Sequence, residues 1–195
     1  FQNIAIKSIH IPTTVTSIGQ RAWMGCKELA NIYVPTENPA YDSEGGLLYT
    51  KGYKTLIYVP QKSYAPALKF LTFHASTTTI ESDAFMDFVN RDTWVILPYG
   101  IKTIKADAFA NSEVGRVVIP STVETIGTGA FRSCKYLNHL FINRKRVLPV
   151  TSVLTDAHKP HLYVPYGYED NYKGSGWENV QDINAYGLQS FDLIN

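Results

Sequence analysis

Apolar and polar positions repeat along this chain in a fixed pattern. An apolar residue, a variable residue, a second apolar residue and a proline recur at positions 9–12, 32–35, 57–60, 95–98, 117–120 and 162–165. Two further copies, at 71–74 and 140–143, keep the apolar pair and lack the proline. Most neighbouring copies lie 22–24 residues apart, which is the length of one coil in a solenoid of stacked repeats.

A second block follows each copy at a fixed distance from its fourth residue, which we call the anchor. An isoleucine comes six residues after four of the anchors, and an alanine followed by an aromatic residue comes ten and eleven residues after them, as in Ile104 and Ala108-Phe109. The isoleucines are Ile18, Ile80, Ile104 and Ile126. The apolar alternation predicts a short strand with one inward face in every coil. The Ala-aromatic pair predicts a short helical or 3₁₀ turn on the opposite side, and stacked coils must share one core.

Two stretches carry a resemblance to a known family. The segments IPTTVTSIGQRAWMGCKELANIYVP (11–35) and IPSTVETIGTGAFRSCKYLNHLFI (119–142) closely resemble the BspA-like, or bacterial surface-antigen, class of leucine-rich repeat. Residues 37–60 resemble the hairpin-bearing variant repeat of that class, and residues 162–183 resemble its terminal unit. The resemblance implies a leucine-rich repeat solenoid of the α/β class. Such a solenoid is a β-rich right-handed superhelix with a parallel sheet on its concave side and short helical turns opposite.

The expected domain organisation follows from the repeats. Residues 1–165 are predicted to form a solenoid of about seven coils, including the variant repeat at 35–60, and residues 166–195 a capping unit and tail. We expect a short helix around residues 169–173, with Trp177 and Val180 packed over the last coil. The coils at 61–74 and 144–160 depart from the pattern and are predicted to be irregular. Because Phe1 enters in the middle of a repeat, we expect further sequence upstream.

Composition narrows the classes of function. The net charge is +1 and charged residues make up 18% of the chain, so no excess of positive charge is available to hold a phosphate backbone, and nucleic acid is not an expected partner. No run of 18 apolar residues exists, so no membrane insertion is expected of this segment. The two cysteines, Cys26 and Cys134, occupy the same repeat position several coils apart. This separation predicts two small buried residues and no disulfide.

The usual signatures of catalysis and metal binding are missing from the sequence. No catalytic or phosphate-binding motif occurs; Asp83 and Asp107 hold equivalent repeat positions, where we expect them to face solvent or cap a turn. His139 and His161 share a position on neighbouring coils and could approach one metal ion. With no carboxylate or third histidine expected in an adjacent register, we predict no metal site and no cofactor.

The outward side chains of the predicted strands form the candidate binding surface. Positions two and four residues before each anchor should point away from the core, and they are rich in aromatic residues. The candidate binding residues on this predicted concave face are Tyr33, Tyr58, Phe70, Trp94, Arg116, His139, Phe141, His161 and Tyr163. Aromatic residues and arginine are enriched at interaction hot spots, but aromatic residues are also favoured in strands for packing alone.

Three functional interpretations remain open at the level of sequence. The first is a non-enzymatic, monomeric recognition module, secreted or on the bacterial cell surface, that binds a host or bacterial protein or a glycan through the aromatic face. The family resemblance implies this envelope location and an adhesive role. The second is a carbohydrate-active enzyme on a β-solenoid, which the 22–24-residue period disfavours. The third is a structural spacer, which would not need aromatic residues in its outward positions.

Overall fold

The computed structural model of the protein describes residues 2–62 and 70–187, in which short strands stack coil upon coil. These residues also form one 3₁₀ turn, Lys51–Tyr53, and one helix, α1, Glu169–Tyr172. In chain order the strands are β1 (Ser8–His10), β2 (Asn31–Tyr33), β3 (Tyr41–Glu44), β4 (Leu47–Thr50), β5 (Thr55–Tyr58), β6 (Phe70–Leu71), β7 (Thr79–Ile80), β8 (Trp94–Ile96), β9 (Thr103–Ile104), β10 (Arg116–Ile119), β11 (Thr125–Ile126), β12 (His139–Ile142), β13 (His161–Pro165) and β14 (Asp182–Tyr186).

The predicted apolar-x-apolar segments build the first ladder of strands. Five of them, together with a sixth strand that was not predicted (β14), run parallel in the order β6-β8-β10-β12-β13-β14, and β1 and β2 form a separate parallel pair. In β12 the inward residues Leu140 and Ile142 are almost fully buried, as the alternation predicts. The leucine-rich repeat solenoid expected from the sequence is therefore confirmed.

A second ladder, which the sequence analysis did not foresee, runs along another side of the solenoid. It has the order β11-β9-β7-β5-β4-β3, in which β3, β4 and β5 are antiparallel neighbours and the remaining strands are parallel. Its parallel part contains three of the four isoleucines that follow an anchor by six residues, Ile80, Ile104 and Ile126, and the first two are fully buried as expected. The fourth, Ile18, lies in no strand and is half-buried. The segment at 57–60 was expected in the first ladder, and this is wrong. Because the hairpin supplies β4 as an antiparallel partner, β5 joins the second ladder between β4 and β7.

The core is continuous from the hairpin to the C-terminal unit. The aromatic residues of the Ala-aromatic pairs stack upon each other, with ring centres 4.1 Å apart for Phe85 and Phe109 and 4.8 Å apart for Phe109 and Phe131. A separate apolar cluster around Trp23, Cys26 and Leu29 fills the N-terminal coils. Neighbouring coils thus cover each other's apolar side chains.

The Ala-aromatic segments form tight turns with single i→i−3 hydrogen bonds, such as that from the N–H of Met86 to the Asp83 carbonyl at 3.0 Å, and they do not extend into helices. Residues nine and thirteen positions after an anchor adopt positive φ, as in Asp83 (59°) with Asp87 (63°) and Asp107 (57°) with Asn111 (60°). A left-handed residue every four positions cannot continue a right-handed helix. Backbone N–H groups that a helix would use internally bond to the next coil instead. The N–H of Phe85, for example, donates to the carbonyl of Ala108 at 2.8 Å.

The coil at 144–160 is more regular than predicted. It contains no strand, yet Ser152 and Asp156 repeat the two positive-φ positions at the same spacing. Val153 and Leu154 are buried where other coils have alanine and an aromatic residue, and the N–H of Phe131 donates to the Val153 carbonyl at 2.9 Å. Half of the other coil predicted to be irregular, residues 63–69 of 61–74, lies outside the described residues.

The C-terminal unit contains both expected features and one unexpected strand. Helix α1 lies at the predicted place, Trp177 is buried with its indole N–H donating to the Leu148 carbonyl at 3.2 Å, and Val180 packs against the core. In addition, β14 pairs in parallel with β13 and extends the first ladder.

Replacing a buried isoleucine of the second ladder by aspartate is expected to unfold the central coils. Ile104→Asp places a charge in a fully buried position and should lower the free energy of unfolding by about 4 kcal/mol or more. Thr103→Asp is the matched control, because Thr103 is only half-buried and precedes Ile104 on the same strand. Urea denaturation followed by circular dichroism measures both, and equal stability of the two variants would contradict the assigned register.

Close packing between coils makes Gly127 intolerant of any side chain. A Cβ atom at Gly127 would lie 2.3 Å from the backbone nitrogen of Ala106, and its φ is not positive, so the conflict is purely steric. Gly127→Ala should therefore destabilise the fold by about 2 kcal/mol or more. Gly19→Ala is the control, since no atom lies within 4 Å of its Cβ position. A thermal-melt comparison that found no difference would show that the coils are spaced more widely here.

Candidate functional site

The outward side chains of the six-stranded ladder form the surface that we call the outer face. Strand pairing aligns equivalent residues into two rows across the strands. The first row consists of Phe70, Trp94, Arg116, His139, His161 and Asp182. The second row consists of Ile96, Val118, Phe141, Tyr163 and Asn184. Six of the nine candidate binding residues lie together in the interior of these rows, and Phe70 lies at one end.

Apolar side chains of the outer face form a cluster separate from the core. The rings of Phe141 and Tyr163 stack with centres 4.3 Å apart, and the rings of Trp94 and Tyr186 approach Phe141 at 5.4 and 5.9 Å. Val118 packs into the same cluster, with only 6% of its surface exposed. Strands about 4.8 Å apart bring equivalent rings into stacking contact. Phe141 and Tyr163 therefore cover one face of each other, while Trp94 and Tyr186 meet Phe141 in tilted and edge-on arrangements.

The first row contains most of the charge of the outer face. The guanidinium of Arg116 lies 5.7 Å from the ring centre of Trp94 and donates from Nη1 to the Asp92 carbonyl at 3.2 Å. The rings of His139 and His161 stack with centres 5.6 Å apart. Burial, then the positive charge of Arg116 and the proximity of His161, lower the pKa of His139 below its ordinary value. Neutral imidazole is therefore favoured at His139.

A carboxylate lies beside His161, although none was expected in an adjacent register. The Nδ1 atom of His161 is 2.8 and 2.9 Å from the two carboxylate oxygens of Asp182. Asp182 was not among the candidate residues, because the end of the chain was expected to form a cap and β14 was not predicted. A signal was present: Asp182 follows His161 by 21 residues, close to the repeat length. Tyr186, on the same strand, was missed for the same reason.

Two candidate residues lie elsewhere in the molecule. Tyr33 is on the separate β1–β2 sheet, 45% exposed, and its ring stacks on that of His10 with centres 4.8 Å apart. Tyr58 was expected on the outer face, and this is wrong: it is 7% exposed on β5 in the second ladder, where its ring centre lies 5.4 Å from that of Trp23. Burial raises the pKa of the Tyr58 phenol. The neighbouring Leu56 is also fully buried.

The remaining polar candidates, two cysteines and two aspartates, make contacts that stabilise the fold. Cys26 and Cys134 are buried thiols, as predicted, and burial raises the pKa of the Cys134 thiol to about 11, so that it stays protonated. The carboxylate of Asp83 accepts hydrogen bonds from Arg21 at 3.0 and 3.2 Å.

The carboxylate of Asp107 accepts a hydrogen bond from Arg132 at 3.0 Å. Both aspartates therefore tie coils together and cap no turn. Within residues 2–62 and 70–187, no three histidine, cysteine or acidic side chains are grouped so as to hold a metal ion.

Comparison with known families identifies the repeat. The model of the family described as "BspA type Leucine rich repeat region" matches six copies in the chain, over residues 1–43 and 62–153. The chain belongs to this family. No curated protein sequence matches the chain closely enough to count as a relative.

Three solved structures share the fold of this BspA-type repeat protein. A leucine-rich repeat protein from Eubacterium ventriosum is 22% identical, with a TM-score of 0.62, over 83% of this chain and 43% of that chain. The pneumococcal vaccine antigen PcpA is 17% identical, with a TM-score of 0.56, over 94% of this chain and 56% of that chain. A leucine-rich cell surface protein from Faecalibacterium prausnitzii is 21% identical, with a TM-score of 0.52, over 95% of this chain and 49% of that chain.

The BspA-type chain spans about half the length of these solved structures. In the part of the chain that the structure describes, no helix has the length and apolar character needed to cross a membrane.

The different positions of Tyr58 and Tyr33 predict different effects of the same substitution. Tyr58→Ala removes a buried ring from the N-terminal cluster and should lower the free energy of unfolding by about 3 kcal/mol. Tyr33→Ala removes a ring that is nearly half exposed and should cost less than about 1 kcal/mol. Differential scanning calorimetry of the two variants measures this contrast. Equal melting temperatures would place Tyr58 at the surface.

Proposed function

We propose that this protein is a non-enzymatic recognition module that binds a protein or glycan partner through the outer face. We further propose that it acts at the bacterial cell surface or after secretion, in adhesion to a host or to other bacteria. The observation that carries the proposal is the apolar cluster of Trp94, Val118, Phe141, Tyr163 and Tyr186. It lies on the side of the sheet that faces away from the core, with the partly buried rings of Trp94 and Tyr163 at its border.

The make-up of the outer face supports a binding role. Trp94, Arg116, His139, His161 and Tyr163 are neither fully buried nor fully exposed. They surround more deeply buried apolar residues. This arrangement of an apolar centre with a polar border is typical of protein interaction sites, where tryptophan, tyrosine and arginine contribute most of the affinity. A contiguous apolar patch on a protein surface is itself a marker of such a site.

The proposed location is supported by the solved structures. One of them is described as a cell surface protein and another as a vaccine antigen. Both share the fold at low identity, so they support the location as a proposal for this chain. The family name of the repeat points in the same direction.

The two alternatives are less well supported. An enzyme would need acidic or nucleophilic groups free to act. The carboxylates of Glu81, Glu113 and Glu124 are paired with cations of neighbouring coils at 2.7–2.8 Å. A spacer would have no use for aromatic rings on an outward face, where polar residues would serve solubility equally well.

A binding screen with matched variants tests the proposed function. The purified protein is applied to arrays of extracellular-matrix proteins, bacterial surface proteins and glycans. Trp94→Ala and Phe70→Ala, which alter the outer face, should weaken any binding by about tenfold or more. Tyr136→Ala is the control, because Tyr136 is 38% exposed and lies on the turn side beside Ser133.

Thermal melts of the same variants separate loss of binding from loss of folding. Both outer-face variants should melt close to the unmodified protein, because Phe70 is 40% exposed and Trp94 is only partly buried. Binding that survives both substitutions would disprove the role of the outer face. A complete lack of binding would favour the spacer, and release of product from an arrayed glycan would favour the enzyme.

A further inference from the structure

We infer that the partner of the outer face is an acidic polypeptide segment, whose carboxylates bind Arg116 and His139 and whose apolar side chains contact the second row. This inference rests on the proposed function and specifies the chemistry of the partner. We further infer that acidic pH strengthens the binding. Three features of the face carry these inferences: the orientation of its rings, the unpaired guanidinium, and the stacked histidines.

Ring orientation on the outer face favours a polypeptide over a glycan. Sugar rings bind proteins by lying flat on the face of an aromatic ring. Here Phe141 and Tyr163 stack at an interplanar angle of 12°, and Phe141 is only 9% exposed. Each of these rings therefore covers one face of the other, and the burial of Phe141 leaves little of its ring for a sugar to lie on. Apolar and aromatic side chains of a polypeptide also pack against tilted or edge-on rings, such as Trp94 and Tyr186 beside Phe141.

Arg116 differs from the cations that are paired between coils of this solenoid. Lys102 pairs with Glu124 and Lys105 with Glu81, each at 2.8 Å, and Arg91 pairs with Glu113 at 2.7 Å. Arg116 has no carboxylate partner among the described residues. Its guanidinium is held over Trp94 and gives one hydrogen bond to the Asp92 carbonyl. Since a guanidinium has five N–H donors, several remain for the two oxygens of an incoming carboxylate.

The two rows offer complementary contacts side by side. On any one strand, the residue of the first row and the residue of the second row are two positions apart, which is about 7 Å. Arg116 and His139 therefore lie beside Val118 and Phe141, on the same strands β10 and β12. A segment with an acidic side chain next to apolar side chains matches this arrangement. A basic segment would meet Arg116 with like charge, which disfavours it.

The histidines make the charge of the first row dependent on pH. The titratable and charged groups around His139 are Arg116 on β10, His161 and Tyr163 on β13, and Asp182 beyond His161 on β14. In the free protein the pKa of His139 is lowered, chiefly by burial and then by Arg116 and His161. A carboxylate bound beside His139 favours the imidazolium and raises that pKa again. Binding then takes up a proton, and by linkage the affinity increases as the pH falls.

Selection of peptides on the immobilised protein tests the inference without knowledge of the natural partner. A library of displayed random peptides is selected at about pH 5.5, and the binders are compared with those selected on Arg116→Gln and on Arg146→Gln. Arg146 is an exposed arginine away from the ladder strands and serves as the matched control. Panels of neutral and acidic glycans are applied to the same proteins.

We expect the selected peptides to contain aspartate or glutamate next to apolar residues. Arg116→Gln should weaken their binding by about tenfold or more. Arg146→Gln should leave it unchanged. For the unmodified protein the affinity should fall several-fold between about pH 5.5 and about pH 7.5, and His139→Gln should remove this dependence.

The outcomes separate this inference from the proposed function. Selected peptides that lose binding with Trp94→Ala but not with Arg116→Gln would overturn the carboxylate site and leave the outer face as a binding surface. Enrichment of basic or uncharged peptides, or binding of acidic glycans in place of peptides, would also overturn the inference. An affinity independent of pH would refute the role of His139. A failure to select any peptide, with no binding on any array, would count against both proposals.

Discussion

Backbone hydrogen bonding between successive coils is the interaction on which the rest of this structure depends. The coils are joined at three places: in the six-stranded ladder, in the second ladder and in the turns. In the turns, the N–H of Phe109 donates to the Ala130 carbonyl at 2.7 Å; beside the second ladder, the N–H of Gly127 donates to the Ile104 carbonyl at 2.8 Å. A single coil has too little apolar surface to hold itself together. The bonds to its neighbours satisfy its polar backbone while its apolar side chains are covered.

Bonding at several places fixes the rotation of each coil relative to the next, and therefore stacks equivalent side chains. In the core this produces the column of Phe85, Phe109 and Phe131. On the surface it produces ion pairs between residues 22–25 positions apart, such as Lys102 with Glu124 and Arg132 with Asp107. On the outer face the same alignment converts scattered aromatic and polar residues into two continuous rows. The proposed binding surface is thus a direct product of the stacking.

The variant repeat at 35–60 interrupts this regularity and limits the size of the outer face. Asn38 anchors its entry: its fully buried side chain donates to the carbonyls of Pro12 and Val15 at 2.8 and 3.0 Å, and accepts from the N–H groups of Ala40 and Tyr41 at 2.9 and 2.8 Å. Because the hairpin strands join the second ladder, the β1–β2 pair is not hydrogen-bonded to the six-stranded sheet. Tyr33 is thereby separated from the rows that contain Trp94 and Phe141.

The sequence by itself determined the repeat, its period and the side of β8, β10, β12 and β13 that faces the core. The burial of Ile104 and Cys134 follows from these alone. Most of the candidate site was predictable for the same reason, since alternation in a strand assigns Trp94, Arg116, His139 and Phe141 to the side opposite the core.

Only the tertiary structure decided which strand pairs with which. Periodicity describes a strand's own two faces and not its neighbours, so the placement of Tyr58 in the second ladder depended on β4 being available as a partner. The addition of β14, which brings Asp182 to His161, depended in the same way on an open edge of β13. Strand pairing is a contact between distant segments, and its outcome is set by the competition among them rather than by any one local pattern.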